Sequence, residues 1–327
     1  MVTTRRNRRV PTLGRQLGHQ AYRAWIAAKE TLRLPTQNDQ FFYIDRLTHL
    51  LNSGTLKACK ITATGRNDGA GSQAEARMSA ICFAHTLNLE YIHTPFTSIE
   101  HAETEMDDWV KQWEGYFNLG HGAQCADGLS IVPLKSIFRT PRRLPPDTVC
   151  STHHYLHWCR QNPEAWERAR PRLRHAYWAN KTEKAQPFTV AVHVRRGDRH
   201  TATSVFVPSL QFLTAYLSKQ VDDLRICVHS QGDASSFANF GQFDCTLCLN
   251  EPAITTHRQL VSADILLISA GAFSYTAGVL NAGLVLSGPQ KYGALPSWST
   301  RQSDGQFDMP QLRHSVERLL QRRAARV

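Results

Sequence analysis

From Lys57 onward the apolar positions alternate between short runs and longer, broader faces, the pattern of strands and helices building a sheet covered on both sides. A strand over 58–64 ends at Gly65, and a helix over 73–87 carries Ala76, Met78, Ala80, Ile81, Phe83, Ala84 and Leu87. A strand over 89–93 runs into Thr94-Pro95, Trp-rich helical sequence follows at 103–118, and a Pro- and Arg-rich passage at 139–147 precedes helix over 151–180. The pattern restarts after the linker Lys184-Ala185-Gln186-Pro187, with strands at 188–194, 224–229, 264–268 and 284–287 and helices at 208–219 and 274–281. Residues before 57 predict helix only, at 15–33 and 40–52. The expected organisation is therefore α/β: a helical extension over 1–56, then two Rossmann-like domains over 57–183 and 184–327 with a cleft between them.

Charge changes this picture little. The net charge of +11 in 327 residues suggests a nucleic-acid partner until it is located. Residues 1–34 (Arg5, Arg6, Arg8, Arg9, Arg15, Arg23, Lys29 and Arg33 against Glu30) and 311–327 (five arginines against Glu317) hold all of it. The neutral remainder predicts no broad basic groove for specific nucleic-acid binding, while basic tails attract an anionic membrane or polysaccharide. No run approaches the roughly 18 apolar residues of a membrane span, and no apolar leader opens the chain. The expected location is cytoplasmic, or peripheral at the inner face of a membrane. Eight cysteines include one CxxC, Cys245-Thr-Leu-Cys248, with no second pair, and Cys150, His153, His154, His157 and Cys159 lack zinc spacing. Ordinary reduced cysteines and no metal are expected.

Candidate chemistry lies where strands end. Val190-Ala191-Val192-His193-Val194-Arg195-Arg196-Gly197-Asp198 delivers His, two Arg and Asp to the carboxyl end of a buried strand. Strand alternation puts His193 and Arg195 on one face and Arg196 on the other, and a guanidinium there can fork onto a diphosphate. Ser262–Ser274 reads as an apolar strand, a small-residue loop (Ser269-Ala270-Gly271-Ala272-Phe273) and a helix opening near Ser274, whose free N–H groups suit a phosphate. Strand 224–229 ends in the polar turn Ser230-Gln231-Gly232-Asp233. In the loop 65–73, Gly69-x-Gly71-x-x-Ala74 matches a dinucleotide fingerprint, but the following strand ends in His93-Thr94 and supplies no acid for a ribose. His93, Glu100 and His101 follow that strand and have the chemistry of an acceptor-side base.

His193-x-Arg195-x-Gly197-Asp198 resembles the hallmark of the α1,2-, α1,6- and protein O-fucosyltransferase superfamily, to which the bacterial Nod-factor fucosyltransferases belong. Asp264, Ser269, Phe273 and Ser274 are similar to its Asp-strand-Ser loop, with Gly271 and Ala272 in place of a serine pair. Ser230 falls in its middle motif, and Gly69, Gly71, Ser72 and Gln73 match its Gly-rich N-terminal loop. The resemblance implies a GT-B fold and inverting, metal-independent transfer of fucose from GDP-fucose to a glycan or glycoconjugate, with no cofactor beyond the donor. It implies catalytic roles for Arg195 and Asp198, and donor contacts for His193, Arg196, Asp264 and the two loops. Another nucleotide-sugar donor, or a silent nucleotide-sugar-binding protein, are the alternatives.

Overall fold

The computed structural model describes residues 39–54, 56, 59–137, 148–182, 186–196, 200–301 and 306–325; the extension helix expected at 15–33 and residues 197–199, Asp198 among them, lie outside these. In chain order the elements of the first unit are α1 (Asp39–Asn52), β1 (Lys60–Ala63), α2 (Ala70–Leu87), β2 (Glu90–His93), α3 (Met106–Phe117), β3 (Gln124–Cys125), β4 (Ser130–Pro133), α4 (Leu134–Ile137), β5 (Thr148–Thr152), α5 (Leu156–Gln161) and α6 (Glu164–Trp178). The second unit follows with β6 (Phe188–His193), α7 (Val207–Leu217), β7 (Leu224–Ser230), β8 (Thr246–Leu249), α8 (Ala253–Ser262), β9 (Ile265–Ile268), α9 (Ala272–Leu280), β10 (Leu284–Ser287), β11 (Ser299–Thr300) and α10 (Met309–Ala324).

Two parallel sheets result, ordered β3-β2-β1-β5-β4 and β11-β10-β9-β6-β7-β8. This two-unit α/β architecture is the one the hydrophobic pattern predicts, and it is consistent with a GT-B-like arrangement. Three departures have physical causes. The segment expected to be helix from 151 opens with β5, which pairs with both β1 and β4. Thr148-Val149-Cys150-Ser151 is buried and β-branched or small, and a strand buried on both faces shows no alternation. Elements β8 and α8 occupy a stretch in which the sequence predicts no structure. The basic C-terminal tail is a docked helix: α10 buries Leu312, Val316 and Leu319, and Asp308 caps it by accepting the Gln311 N–H at 3.0 Å.

The core positions the site. Val190, Val192 and Val194 of the β6 run pack with Leu210, Leu213, Leu312 and Val316 on one face of the second sheet. Ala191, Leu266 and Ile268 on the other face share a core with Ile61, Phe83 and Trp166 of the first unit, so one apolar interior crosses the boundary. α2 lies in its middle and is buried from Ala70 to Ala84 apart from Ser72, even at Gln73, Glu75, Arg77 and Ser79. Polar bonds also cross. The Glu103 carboxylate accepts the Ala253 N–H (3.0 Å) that opens α8. Arg170 of α6 donates to the carbonyls of Val279 (3.1 Å) and Asn281, closing the far end of α9.

Candidate functional site

The end of β6 is laced to the end of β9 by one buried hydroxyl. Ser269 Oγ accepts the Arg195 N–H at 3.0 Å and donates to the His193 carbonyl at 2.6 Å. The strand then delivers the Arg195 side chain over the loop that opens α9, where Nη1 donates to the Ala270 carbonyl at 3.2 Å. Gly271 makes this approach possible. Its φ of 149° lies where side chains rarely go, and a β-carbon there would meet Arg195 Nη1 at 2.4 Å. α9 starts without a side-chain cap, so its first N–H groups and its positive end face the space beside the guanidinium.

His193 braces the same turn. Its Nδ1 lies 3.0 Å from Ser274 Oγ, whose own proton is given to the Ser269 carbonyl at 3.1 Å. Nδ1 therefore carries a proton and Nε2 a lone pair. Burial, with His229 and Arg195 nearby, pushes this imidazole down to about 3, so it stays neutral. Phe273 lies between the His193 and His257 rings, tilted against the first at 5.3 Å and edge-on to the second at 5.0 Å. Behind it runs a buried chain: Tyr177 Oη donates to Tyr116 Oη (2.9 Å), which meets His257 Nδ1 (2.8 Å), and His257 Nε2 meets Thr276 Oγ1 (3.0 Å). That chain ties the first turn of α9 to α3 and α6.

The Gly-rich loop meets this turn from the other unit. A β-carbon at Gly71 would sit 2.7 Å from Phe273 Cα, so the first turns of α2 and α9 abut backbone to backbone. Ser72 and Gln73 send their N–H groups back to the Gly69 carbonyl. Gln73 is buried, and its Nε2 clamps the carbonyls of Asp68 and Ser98, both at 2.7 Å.

One turn beyond Gly71, Glu75 is 6% exposed. Burial raises its carboxyl to about 7, against the pull of Arg66 and Lys291. Arg66 pairs with Asp68 in the same loop. His154, after β5, is held down to about 4 by burial and by the charges of Arg66 and Lys291, and its ring meets Tyr292 at 5.6 Å. Arg66 and Lys291, one from each unit, thus act on a buried carboxyl that titrates near neutrality. Glu75 was legible only as a lone acid in an apolar helix, and Lys291 carried no sequence signal.

The structure thus gathers His193, Arg195, Ser269, Gly271, Ala272, Phe273, Ser274 and Gly71, with Gly69, Ser72 and Gln73 in the adjoining loop. It separates several others. Arg196 points to the opposite face, bonding His200 (2.9 Å) and lying over Phe237. Ser230 is spent on the Val194 carbonyl at 2.7 Å. Asp264 sits at the amino end of β9, opposite to Ser269, where it accepts the Thr189 N–H and pairs with Arg323. His93 is turned inward: its ring is fixed between Tyr91 (3.1 Å) and Glu114 (2.5 Å) and is buried. Glu100 and His101 are exposed on the following loop.

Two further features lie away from Arg195. An open groove of about 780 Å³ between α6 and α10 is lined by Arg170, Arg174, His175, Arg318 and Arg322, a basic surface to which the C-terminal helix contributes. Arg195 carries the chemistry of phosphate binding without lying in it. The thiols of Cys227 and Cys248 and the ring of His229 come together with ligand atoms within 4.8 Å of one another. Among the described residues no helix is long and apolar enough to cross a membrane.

No protein-family model matches the chain, and a search of the curated proteins also finds no match. Among solved structures the chain is similar to the S. aureus MnaA–UDP co-structure, at 10% sequence identity and a TM-score of 0.25, over 75% of this chain. It spans 60% of the length of that protein. So low a score carries no argument about function. The α/β architecture rests on the strands and helices themselves.

Proposed function

We propose that the protein is a glycosyltransferase that moves fucose from GDP-fucose to a hydroxyl of a glycan or glycoconjugate. The observation that carries this reading is the Arg195 guanidinium held over the loop that opens α9. A diphosphate between them receives a bidentate cation from one side and backbone N–H groups from the other. In transfer, the acceptor oxygen forms a bond to the sugar's anomeric carbon while the bond to the β-phosphate oxygen breaks, and its electron pair leaves with GDP. Arg195 and the α9 dipole neutralise the charge that develops there. The acceptor's proton goes to a carboxylate, and Glu75, ionised above about pH 7, suits that task better than His93. Basic side chains between α6 and α10 offer an anionic acceptor or membrane surface a place to rest.

A different donor is the second reading, favoured by Gly271-Ala272, which present backbone groups and no hydroxyl to the ligand. A thermal-shift panel of GDP-fucose against UDP-, GDP- and dTDP-sugars, followed by product analysis on glycan acceptors, tests both. Selective stabilisation by GDP-fucose with transfer supports the first reading. Stabilisation by another nucleotide sugar supports the second. Binding of GDP-fucose without transfer or hydrolysis makes the protein a silent binder, and no stabilisation by any of them overturns the proposal.

A further inference from the structure

Strand pairing assembles a group that the sequence spacing hides. His229 on β7 lies opposite Cys248 on β8, and Cys227 stands two residues before His229 on the same face. Cys245, the CxxC partner of Cys248, is instead turned to the Phe240 carbonyl at 3.6 Å. After β8 the chain reverses at Asn250, in the left-handed region at φ 57°, and its side chain bonds both the N–H (2.9 Å) and the carbonyl (3.1 Å) of Gly232. That turn brings Glu251 back beside His229. Glu251 Oε2 ends 3.6 Å from His229 Nδ1, and both atoms are buried with no hydrogen-bond partner among the described residues.

Such a pair needs an explanation, because buried polar atoms are almost always satisfied. A direct bond does not supply it: at 3.6 Å the two atoms are too far apart for a hydrogen bond. A cation between the two atoms does. Metal–ligand bonds of about 2.0–2.3 Å in a tetrahedron place ligand atoms roughly 3.3–3.8 Å apart. The 3.6 Å separation falls in that range, and the 4.8 Å limit for the three-residue group leaves a small inward rotation of the side chains.

We propose that Cys227, His229, Cys248 and Glu251 form a structural site for a divalent zinc-like cation. Two thiolates, a neutral imidazole and a carboxylate make a closed four-ligand set that selects Zn²⁺ over hard cations such as Mg²⁺. The ion would cross-link β8, the edge strand of the second sheet, to β7, one strand from His193, which is paired in register with His229. It thereby stiffens the sheet edge beside Arg195, and it is independent of the glycosyl-transfer reading.

The test uses the reduced full-length chain, stripped of metal and titrated with Co²⁺ and Zn²⁺. The expected result is one equivalent of Co²⁺ with thiolate-to-metal charge-transfer absorption and intense tetrahedral d–d bands, displaced by Zn²⁺, and a higher Tm with Zn²⁺. Because it is read on the unaltered protein, this result does not depend on any variant folding. Cys227→Ser and Cys248→Ser should each weaken Zn²⁺ by more than the ~10–100-fold that loss of a supporting partner costs, and Cys245→Ser should leave affinity unchanged. A cobalt spectrum without thiolate bands, or an equal loss in Cys245→Ser and Cys248→Ser, overturns the site.

Discussion

The Arg195 guanidinium occupies the place of the side chain that Gly271 lacks: a β-carbon there would stand 2.4 Å from Nη1. Cation and helix start are therefore set by one fit, and either residue can be used to break it.

Gly271→Ala must both strain a backbone at φ 149° and push Arg195 aside. It should lower stability by about 1–3 kcal/mol and weaken GDP binding at least tenfold, measured by urea denaturation and calorimetry. Arg195→Ala should fold normally and lose about 3–4 kcal/mol of transition-state stabilisation, a fall of roughly 10²–10³-fold in kcat. Arg195→Lys should not rescue it, since an ammonium cannot fork onto two phosphate oxygens. Near-normal turnover in Arg195→Ala would end the proposed role.

Glu75 gives a pH signature with a definite sign. Its folded pKa of about 7 lies above the ordinary 4.5, so below pH 4.5 the carboxyl is protonated folded or unfolded and costs nothing. Between 4.5 and 7 the unfolded chain ionises first, and above 7 the fold carries a penalty of about 3 kcal/mol. Glu75→Gln should therefore raise Tm at pH 8 and change it little at pH 4. If Glu75 accepts the acceptor's proton, wild-type kcat/KM rises with pH through about 7, and that limb vanishes in Glu75→Gln.

His257 has the opposite sign. Burial holds its folded pKa at about 3, below the ordinary 6.5, so its stabilising contribution is present above 6.5 and is lost as pH falls toward 3. His257→Gln should cost about 1–3 kcal/mol at pH 7, because Tyr116 loses its partner, yet show a shallower acid decline in a Tm–pH series.

Arg170 holds the carbonyl end of α9 from the first unit, bonding Val279, Asn281 and Ser297. Arg170→Ala should destabilise the chain by about 2–4 kcal/mol in urea, because it strands half-buried carbonyls that water reaches poorly. Arg168→Ala, exposed on the same helix, is the control and should change stability by under about 0.5 kcal/mol.

The sequence disclosed most where one strand or helix carried its own signal. The β6 run with Arg195 and the small-residue entry to α9 were legible because burial and turn chemistry are local. What escaped depends on partners remote in the chain. β5 has no alternation because both its faces are covered, and Glu75 is unusual only once its helix is seen to be buried nearly all round. His93 follows a strand as an acceptor-side base would, yet Glu114, on α3, lies against its ring. Asp264 and Ser269 stand at opposite ends of β9, and its pairing with Arg323 of α10 depends on a partner far along the chain. Spacing pairs Cys248 with Cys245, but it is β-register that brings Cys227 beside it.

The shared interior of the two units also limits how the protein can breathe. Parting the lobes like a clam would pull Phe273 from Gly71, break the Tyr116–His257 bond and uncap both α8 and α9. In the proposed reaction, donor and acceptor would then come and go by local rearrangement at the rim, and short loops rather than a hinge would set the pace.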